Sequence, residues 1–201
     1  MFRVIKRLTL TLLLGAVAAA ALLLWLSTDP RYTLQSWLAG SRYHEYDALI
    51  AVTARKYALE PTLLKAIVWR ESAFQRHKVG TSGERGLMQV GEAAAQDWAK
   101  AEKVETFVPT DLFDAKTNLE IGTWYLRQSL DRWKQKKDPL PFALADYNAG
   151  RSRVDRWLAA ANLGEEATAE DLLMAIEFPT TRSYIETILS RERFYRDRGR
   201  L

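Results

Sequence analysis

Glu71 is the residue of this chain best placed to do chemistry. Leu64, Ile67, Val68 and Glu71 stand at i, i+3, i+4 and i+7, which is one face of a 3.6-residue helix, three positions apolar and the fourth a carboxylate. Pro61 suits the first helical position, where its missing N–H costs nothing, so a helix is expected to start there. A carboxylate that closes a core-facing stripe is costly to bury charged, and its pKa is expected to rise. A Glu that keeps its proton near neutrality is a general acid. The plainer reading is a surface helix end with Glu71 paired to Arg70 or Arg85, and spacing alone does not choose between the two.

Further along, Gly80, Gly83 and Gly86 recur every three residues and lead into Leu87-Met88-Gln89. Glycines at this density let backbone approach backbone or ligand, which suits the wall of a cleft. Asp114 is a good N-cap for a helix whose packing stripe is Leu119, Gly122, Leu126 and Leu130; this stretch reads as structure, with no chemistry assigned. Pro139 and Pro141 open another helix, which runs through Ala145-Asp146-Tyr147-Asn148-Ala149 and closes at Gly150. Neighbours on a helix diverge by about 100°, so Asp146 is expected to point away from any cleft that Tyr147 faces.

These blocks, in this order, resemble the bacterial lytic transglycosylases of the SLT type. The resemblance is carried by Glu71-Ser72-x-Phe74, Gly83-x-x-Gly86-Leu87-Met88-Gln89, Leu112-Phe113-Asp114 through Gly122-x-x-Tyr125-Leu126, Tyr147-Asn148-Ala149-Gly150, and Thr181-Arg182-Ser183-Tyr184. Together they cover roughly residues 45 to 195. The resemblance implies a mainly helical, goose-lysozyme-like fold and a peptidoglycan substrate, with no metal and no cofactor. It makes Glu71 the catalytic acid and assigns substrate-binding roles to Ser72, Gln89, Tyr147, Asn148, Arg182, Tyr184 and, through the acid before Pro179, Glu177. In the family the hydroxyl of the Tyr at position 147 points at the catalytic Glu. Three departures stand out. Asp146 replaces the usual Ala, Thr180 replaces a Glu, and Gln89-Val90-Gly91-Glu92 lacks the family's pocket-lining Met and following Pro, which implies a wider pocket.

The elements that must position these residues read as an all-α domain over residues 45–201. A first helix over Tyr46–Tyr57 is expected to pack on the Glu71 helix through Leu49, Ile50, Thr53 and Ala54. Glu92–Lys100 reads as a helix with Trp98 inward, and Arg151–Leu163 as one with Val154, Trp157, Leu158 and Ala161 inward. A final helix from Tyr184 to Arg198 carries five arginines (191, 193, 196, 198 and 200) read as a solvated end. A small irregular hairpin is expected near the glycine-rich loop.

Ahead of this domain, residues 29–44 read as a tether with a turn of helix at Thr33–Leu38. Residues 1–28 carry Arg3, Lys6 and Arg7, followed by a charge-free run from Leu8 to Leu26, which at 1.5 Å per residue spans about 28 Å, close to a bilayer core. Trp25 stands where an interfacial aromatic belongs. The expectation is an uncleaved signal anchor in the bacterial inner membrane, with the domain outside; a signal peptide cleaved near Ala18–Ala21 is the competing reading. Without the three flanking cations the chain has 26 basic against 25 acidic residues, so its basic pI is no argument for nucleic acid. It has no Cys, which excludes disulfides and thiolate metal sites.

Most glycosidases use two carboxylates, and here only Glu71 is convincing. The family's route, which the resemblance implies, is non-hydrolytic: the bond between N-acetylmuramic acid and N-acetylglucosamine is cut with closure of a 1,6-anhydro ring. Two other classes stay open. A lysozyme-type hydrolase would need Glu84 or Asp146 to hold a water, and a non-catalytic wall-binding scaffold would need no acid at all.

Overall fold

The computed structural model describes residues 14–22, 25, 30–199 and 201. The chain divides into two units, residues 1–43 and 44–201. In the first, residues 14–22 are helical, followed by α1 (Pro30–Ala39) and a 3₁₀ turn at Gly40–Tyr43. The turn of helix expected at Thr33–Leu38 is thus a ten-residue helix, and the ring of its Tyr32 meets that of Tyr43 at 5.5 Å. Among the described residues no helix is long and apolar enough to cross a membrane. Of the Leu8–Leu26 run, residues 8–13, 23, 24 and 26 lie outside those residues.

The second unit is all helix: α2 (Asp47–Lys56), α3 (Pro61–Ser72), α4 (Glu92–Ala101), α5 (Ala115–Arg132), α6 (Pro139–Ala149), α7 (Arg151–Ala160), α8 (Ala169–Ala175) and α9 (Pro179–Asp197), with a 3₁₀ turn at Pro109–Phe113. There are no strands among the described residues. The irregular hairpin at the glycine-rich loop amounts to two isolated antiparallel bridges, Val79 with Arg85 and Arg85 with Val90.

Helix boundaries follow the local chemistry. Pro61, Pro139 and Pro179 each sit in the first turn of their helix. Asp114 caps α5 by accepting from the Thr117 N–H at 2.8 Å. The short α8, which apolar periodicity does not announce, is opened by a capping box between Thr168 and Asp171. α6 is buried on nearly every side: Pro141, Phe142, Ala143, Leu144, Ala145, Asp146 and Ala149 are all inside. Such a helix is a core element, and α5, α7 and α9 pack around it. α3 packs against α9 and α2.

Two expectations about side chains need correcting. Ala161 lies beyond the end of α7 and is exposed. On α4, Trp98 lies on the face of the buried Ala95 and Ala99, itself half-buried, and meets Phe107 edge-on at 6.5 Å. Arg191 is no part of a solvated end. It is buried with its guanidinium 4.1 Å from the centre of the Trp69 ring, which ties α9 to α3. Lys65 is likewise fully buried on α3, paired at 2.6 Å with Asp47 at the start of α2. Both cations are accepted inside because each meets an anion or an aromatic face.

Candidate active site

Glu71 occupies the last turn of α3, and the stripe that positions it is as its spacing requires: Leu64, Ile67 and Val68 are inaccessible to solvent, and Glu71 is half-buried beyond them. The backbone then leaves the helix abruptly. Ala73 and Phe74 both have positive φ, +49° and +62°. Left-handed geometry at two consecutive non-glycine residues costs about 1–2 kcal/mol each; burial of the Phe74 side chain holds it in place.

Glu71 opens on a cleft of about 620 Å³ whose lining includes Arg70, Lys78, Glu84, Gln89, Tyr125, Tyr147 and Asn148. Burial pushes the Glu71 carboxyl up to about 7. Working against that rise are the hydrogen bond from Tyr184 and then the charges of Arg70 and Lys78; Glu84 adds to it. The Tyr184 hydroxyl on α9 donates to Glu71 Oε1 at 2.6 Å. Its phenol is pushed well above its ordinary value, by burial first and by the neighbouring Glu71 second, so it remains a donor. The Lys78 ammonium donates to the Glu71 carbonyl, tying the loop to the helix end. The acid therefore sits near its own midpoint at neutral pH, with one donor already on it and an open cleft before it.

The backbone run that leads into Gln89 is held by one side chain from the block read as structural. Asn118 on α5 donates to the carbonyls of Arg85 (2.8 Å) and Leu112 (2.9 Å) and accepts from the Met88 N–H at 2.7 Å. Its fully buried amide fixes the Gly86-Leu87-Met88 turn. Gly86 has φ +81°, and a Cβ there would lie 2.3 Å from both Asn118 Nδ2 and the Leu112 carbonyl; a Cβ on Gly122 would lie 2.6 Å from Met88 Sδ. Only glycine fits at either place. The clue to Asn118 was a polar residue between apolar ones on the packing face of α5.

The other expected site residues divide into those at the cleft and those away from it. Gln89 lines the cleft in a left-handed conformation (φ +47°), its amide donating to the carbonyls of Gly86 (3.0 Å) and Lys78 (3.2 Å). Tyr147 lines it too, but its hydroxyl donates to the Met88 carbonyl at 3.0 Å; the phenol that bonds Glu71 is that of Tyr184. Asn148 lines the cleft and accepts from the Thr181 hydroxyl at 2.8 Å. Ser72 is buried and donates back to the Val68 carbonyl at 3.1 Å, facing the core. Arg182 donates to the Ile176 carbonyl at 2.9 Å, and Glu177 is exposed; neither lines the cleft. Tyr125, read from sequence as structural only, does line it, with its ring 5.9 Å from that of Tyr147. Asp146 does not: it is fully buried, accepting from Arg132 Nε and Trp133 Nε1, both at 3.0 Å. Among the described residues no three His, Asp or Glu side chains gather as a metal-ligand set.

An all-helical domain with a carboxyl raised to about 7 at an open cleft has the arrangement that acid–base chemistry needs. The family follows from comparison: residues 48–169 match the transglycosylase SLT domain, and the chain belongs to that family. It is 30% identical over 152 residues to the soluble lytic murein transglycosylase of Salmonella typhimurium, covering 75% of this chain and 23% of the relative. To the membrane-bound lytic murein transglycosylase C of Shigella sonnei it is 28% identical over 172 residues, covering 78% of this chain and 48% of the relative. The crystal structure of the 70 kDa soluble lytic transglycosylase of Escherichia coli superposes with a TM-score of 0.67 at 28% identity, over 77% of this chain and 24% of that one. The chain thus spans between about a quarter and a half of the length of these relatives.

Proposed function

We propose that this chain is a peptidoglycan lytic transglycosylase, cutting the β-1,4 bond between N-acetylmuramic acid and N-acetylglucosamine and leaving 1,6-anhydro ends. The observation that carries this reading is Glu71, a single carboxyl raised to about 7 by burial and presented to the cleft. Protonated, it gives its proton to the glycosidic oxygen as the bond to C1 breaks and the N-acetylglucosamine hydroxyl departs. The neighbouring acetamide shelters the cation. The C6 hydroxyl then closes on C1 and returns its proton to the Glu71 carboxylate, so no water is consumed and the acid is regenerated. Tyr184 holds Oε1 and orients the carboxyl for both transfers. Gln89, Tyr147 and Asn148, on the cleft wall, would contact the glycan.

A hydrolase is the second reading, because Glu84 lines the same cleft. The two reactions differ by one water in the product. Purified peptidoglycan digested with the enzyme and analysed by mass spectrometry is expected to show anhydro ends; reducing ends in their place would establish hydrolysis.

The names of the membrane-bound relatives, the apolar run Leu8–Leu26 and its basic flank support a single-pass anchor in the inner membrane, with the catalytic domain on the periplasmic side. Residues 1–28 would be the anchor, 29–44 the linker and 45–201 the catalytic domain. Fractionation with N-terminal sequencing tests this: a soluble form beginning near residue 20 would replace the anchor by a cleaved signal.

A further inference from the structure

The cleft accounts for the second unit and leaves α1 without a role. Within this helix Leu34, Trp37 and Leu38 are 44, 57 and 81% exposed, whereas Tyr32 is buried. Spacings of three and four residues put the three exposed side chains in one sector of about 100°. α1 thus turns its large apolar residues outward, the reverse of an ordinary surface helix. Scattered exposed leucines need no explanation, but a Leu-Trp-Leu face on one short helix does.

Its position in the chain says what covers that face. The charge-free run from Leu8 ends at Leu26, and Trp25 just inside that end is 80% exposed. Four residue-to-residue steps lead from Leu26 to Pro30, and at most ~3.6 Å each they span about 14 Å. The headgroup layer on either side of the hydrocarbon core is only some 5–8 Å thick. On the anchoring read above, α1 begins in the headgroup layer or within about 10 Å of it. That is the layer in which Trp and an apolar helix face are stable, the ring buried and the indole N–H still wet.

We propose that α1 is an interfacial helix that lies on the outer face of the inner membrane, with Leu34, Trp37 and Leu38 sunk into the boundary between headgroups and acyl chains. The inference rests on the anchoring read above. With α1 held on the bilayer, only the 3₁₀ turn at Gly40–Tyr43 stands in the chain between it and the catalytic unit, which begins at residue 44. The enzyme would then work on glycan close to the membrane instead of ranging on a free tether.

The absence of Cys makes the test clean. Single-Cys variants of the full chain at Leu34, Trp37, Leu38, Gln35 and Leu14 are labelled with an environment-sensitive fluorophore and reconstituted in phosphatidylethanolamine–phosphatidylglycerol vesicles. Gln35 is also exposed and lies about 160° around the helix from Trp37. Labels at 34, 37 and 38 are expected to be quenched several-fold more by nitroxide lipids, and less by aqueous iodide, than the label at 35. Equal iodide access at all four positions overturns the proposal. So does protection from iodide without quenching from the lipid, which would mean that a second copy or another protein covers the face. The Leu14 label reports on the anchor separately: lipid-quenched at 14 but open to iodide at 34–38 sinks the role of α1 alone, whereas an iodide-accessible Leu14 sinks the anchor.

Discussion

Glu71 and Asp146 are both carboxylates withdrawn from water, and the helices that carry them treat them differently. Asp146 lies inside the core helix α6, fully buried, with the Arg132 guanidinium and the Trp133 indole N–H both donating to Oδ2 at 3.0 Å. Glu71 ends α3 at the cleft, with one neutral hydroxyl on Oε1 and cations only in its surroundings. Two N–H donors, one of them charged, hold Asp146 as a brace between α6 and the end of α5. A phenol and a half-apolar setting leave Glu71 free to exchange its proton at about pH 7. Donor supply, more than depth of burial, separates a structural carboxylate from a reactive one.

The largest effect expected from breaking this contrast is at Glu71 itself. Glu71→Gln keeps the shape and removes the exchangeable proton, so turnover should fall at least ~10²–10⁴-fold while the circular dichroism spectrum is unchanged. Near-normal turnover would assign the chemistry elsewhere. The same variant has a stability signature. The folded-state pKa of Glu71 lies above its ordinary 4.5, so the native state binds that proton more tightly than the unfolded chain. The stability this contributes is complete below about pH 4.5 and is lost as pH rises through about 7, roughly 3 kcal/mol in all. Denaturant titrations at pH 5 and pH 8 should therefore show Glu71→Gln gaining on the wild type at the higher pH.

Asp146→Ala tests the other half. It leaves the Trp133 N–H and Arg132 without their acceptor, and breaking a buried pair costs ~3–5 kcal/mol. The Arg132 side chain is 29% exposed, so the lower end of that range is expected in chemical denaturation. The ends produced from peptidoglycan should not change. Loss of a class of ends in this variant, with the protein still folded, would move Asp146 from brace to reagent.

How much of this contrast the amino-acid sequence shows depends on how far apart the partners are. The stripe ending in Glu71 and the divergence of Asp146 from Tyr147 are local helix geometry, and both are legible. So are the proline-led helix starts and the Asp114 cap. The Tyr184–Glu71 bond joins residues 113 apart, and no periodicity encodes it; the family resemblance pointed to Tyr184 but gave the phenol beside the acid to Tyr147. Arg191 looked solvated because its arginine neighbours are, yet on α9 it falls on the side that meets Trp69. Asn118 hid for the opposite reason: its partners are backbone groups of the Gly86–Met88 turn and Leu112, which carry no sequence signal.

Tyr184→Phe sharpens the comparison by taking the phenol donor from the Glu71 carboxyl. The hydrogen bond favours the carboxylate and holds the pKa down, so without it the pKa rises. Activity that needs the protonated acid should then persist to higher pH. The carboxylate that retrieves the C6 proton loses a charge-assisted hydrogen bond worth about 1.5–3 kcal/mol, so the maximal rate should drop while the alkaline limb moves up. A limb that stays in place would mean that Tyr184 does not bond the acid in solution.

The smallest effect belongs to Glu84, and it decides which reaction the cleft performs. Glu84 is half-buried, its carboxylate receives the Ser82 N–H at 3.1 Å, and it occupies space left by Gly80, where a Cβ would come within 2.4 Å of Glu84 Oε2. Its charge adds to the rise in the Glu71 pKa, the least of the causes acting there. If that is its whole part in turnover, Glu84→Gln lowers the Glu71 pKa slightly, and the alkaline limb of the rate profile moves to lower pH with only a few-fold change at the optimum. If instead Glu84 holds a water as general base, the same variant loses ~10²–10⁴-fold and its reducing-end products vanish. Transglycosylation needs no second carboxylate, because the C6 hydroxyl stands in for water and Glu71 takes back its own proton. The expected result is therefore the small shift, with anhydro ends intact in the mass spectrum.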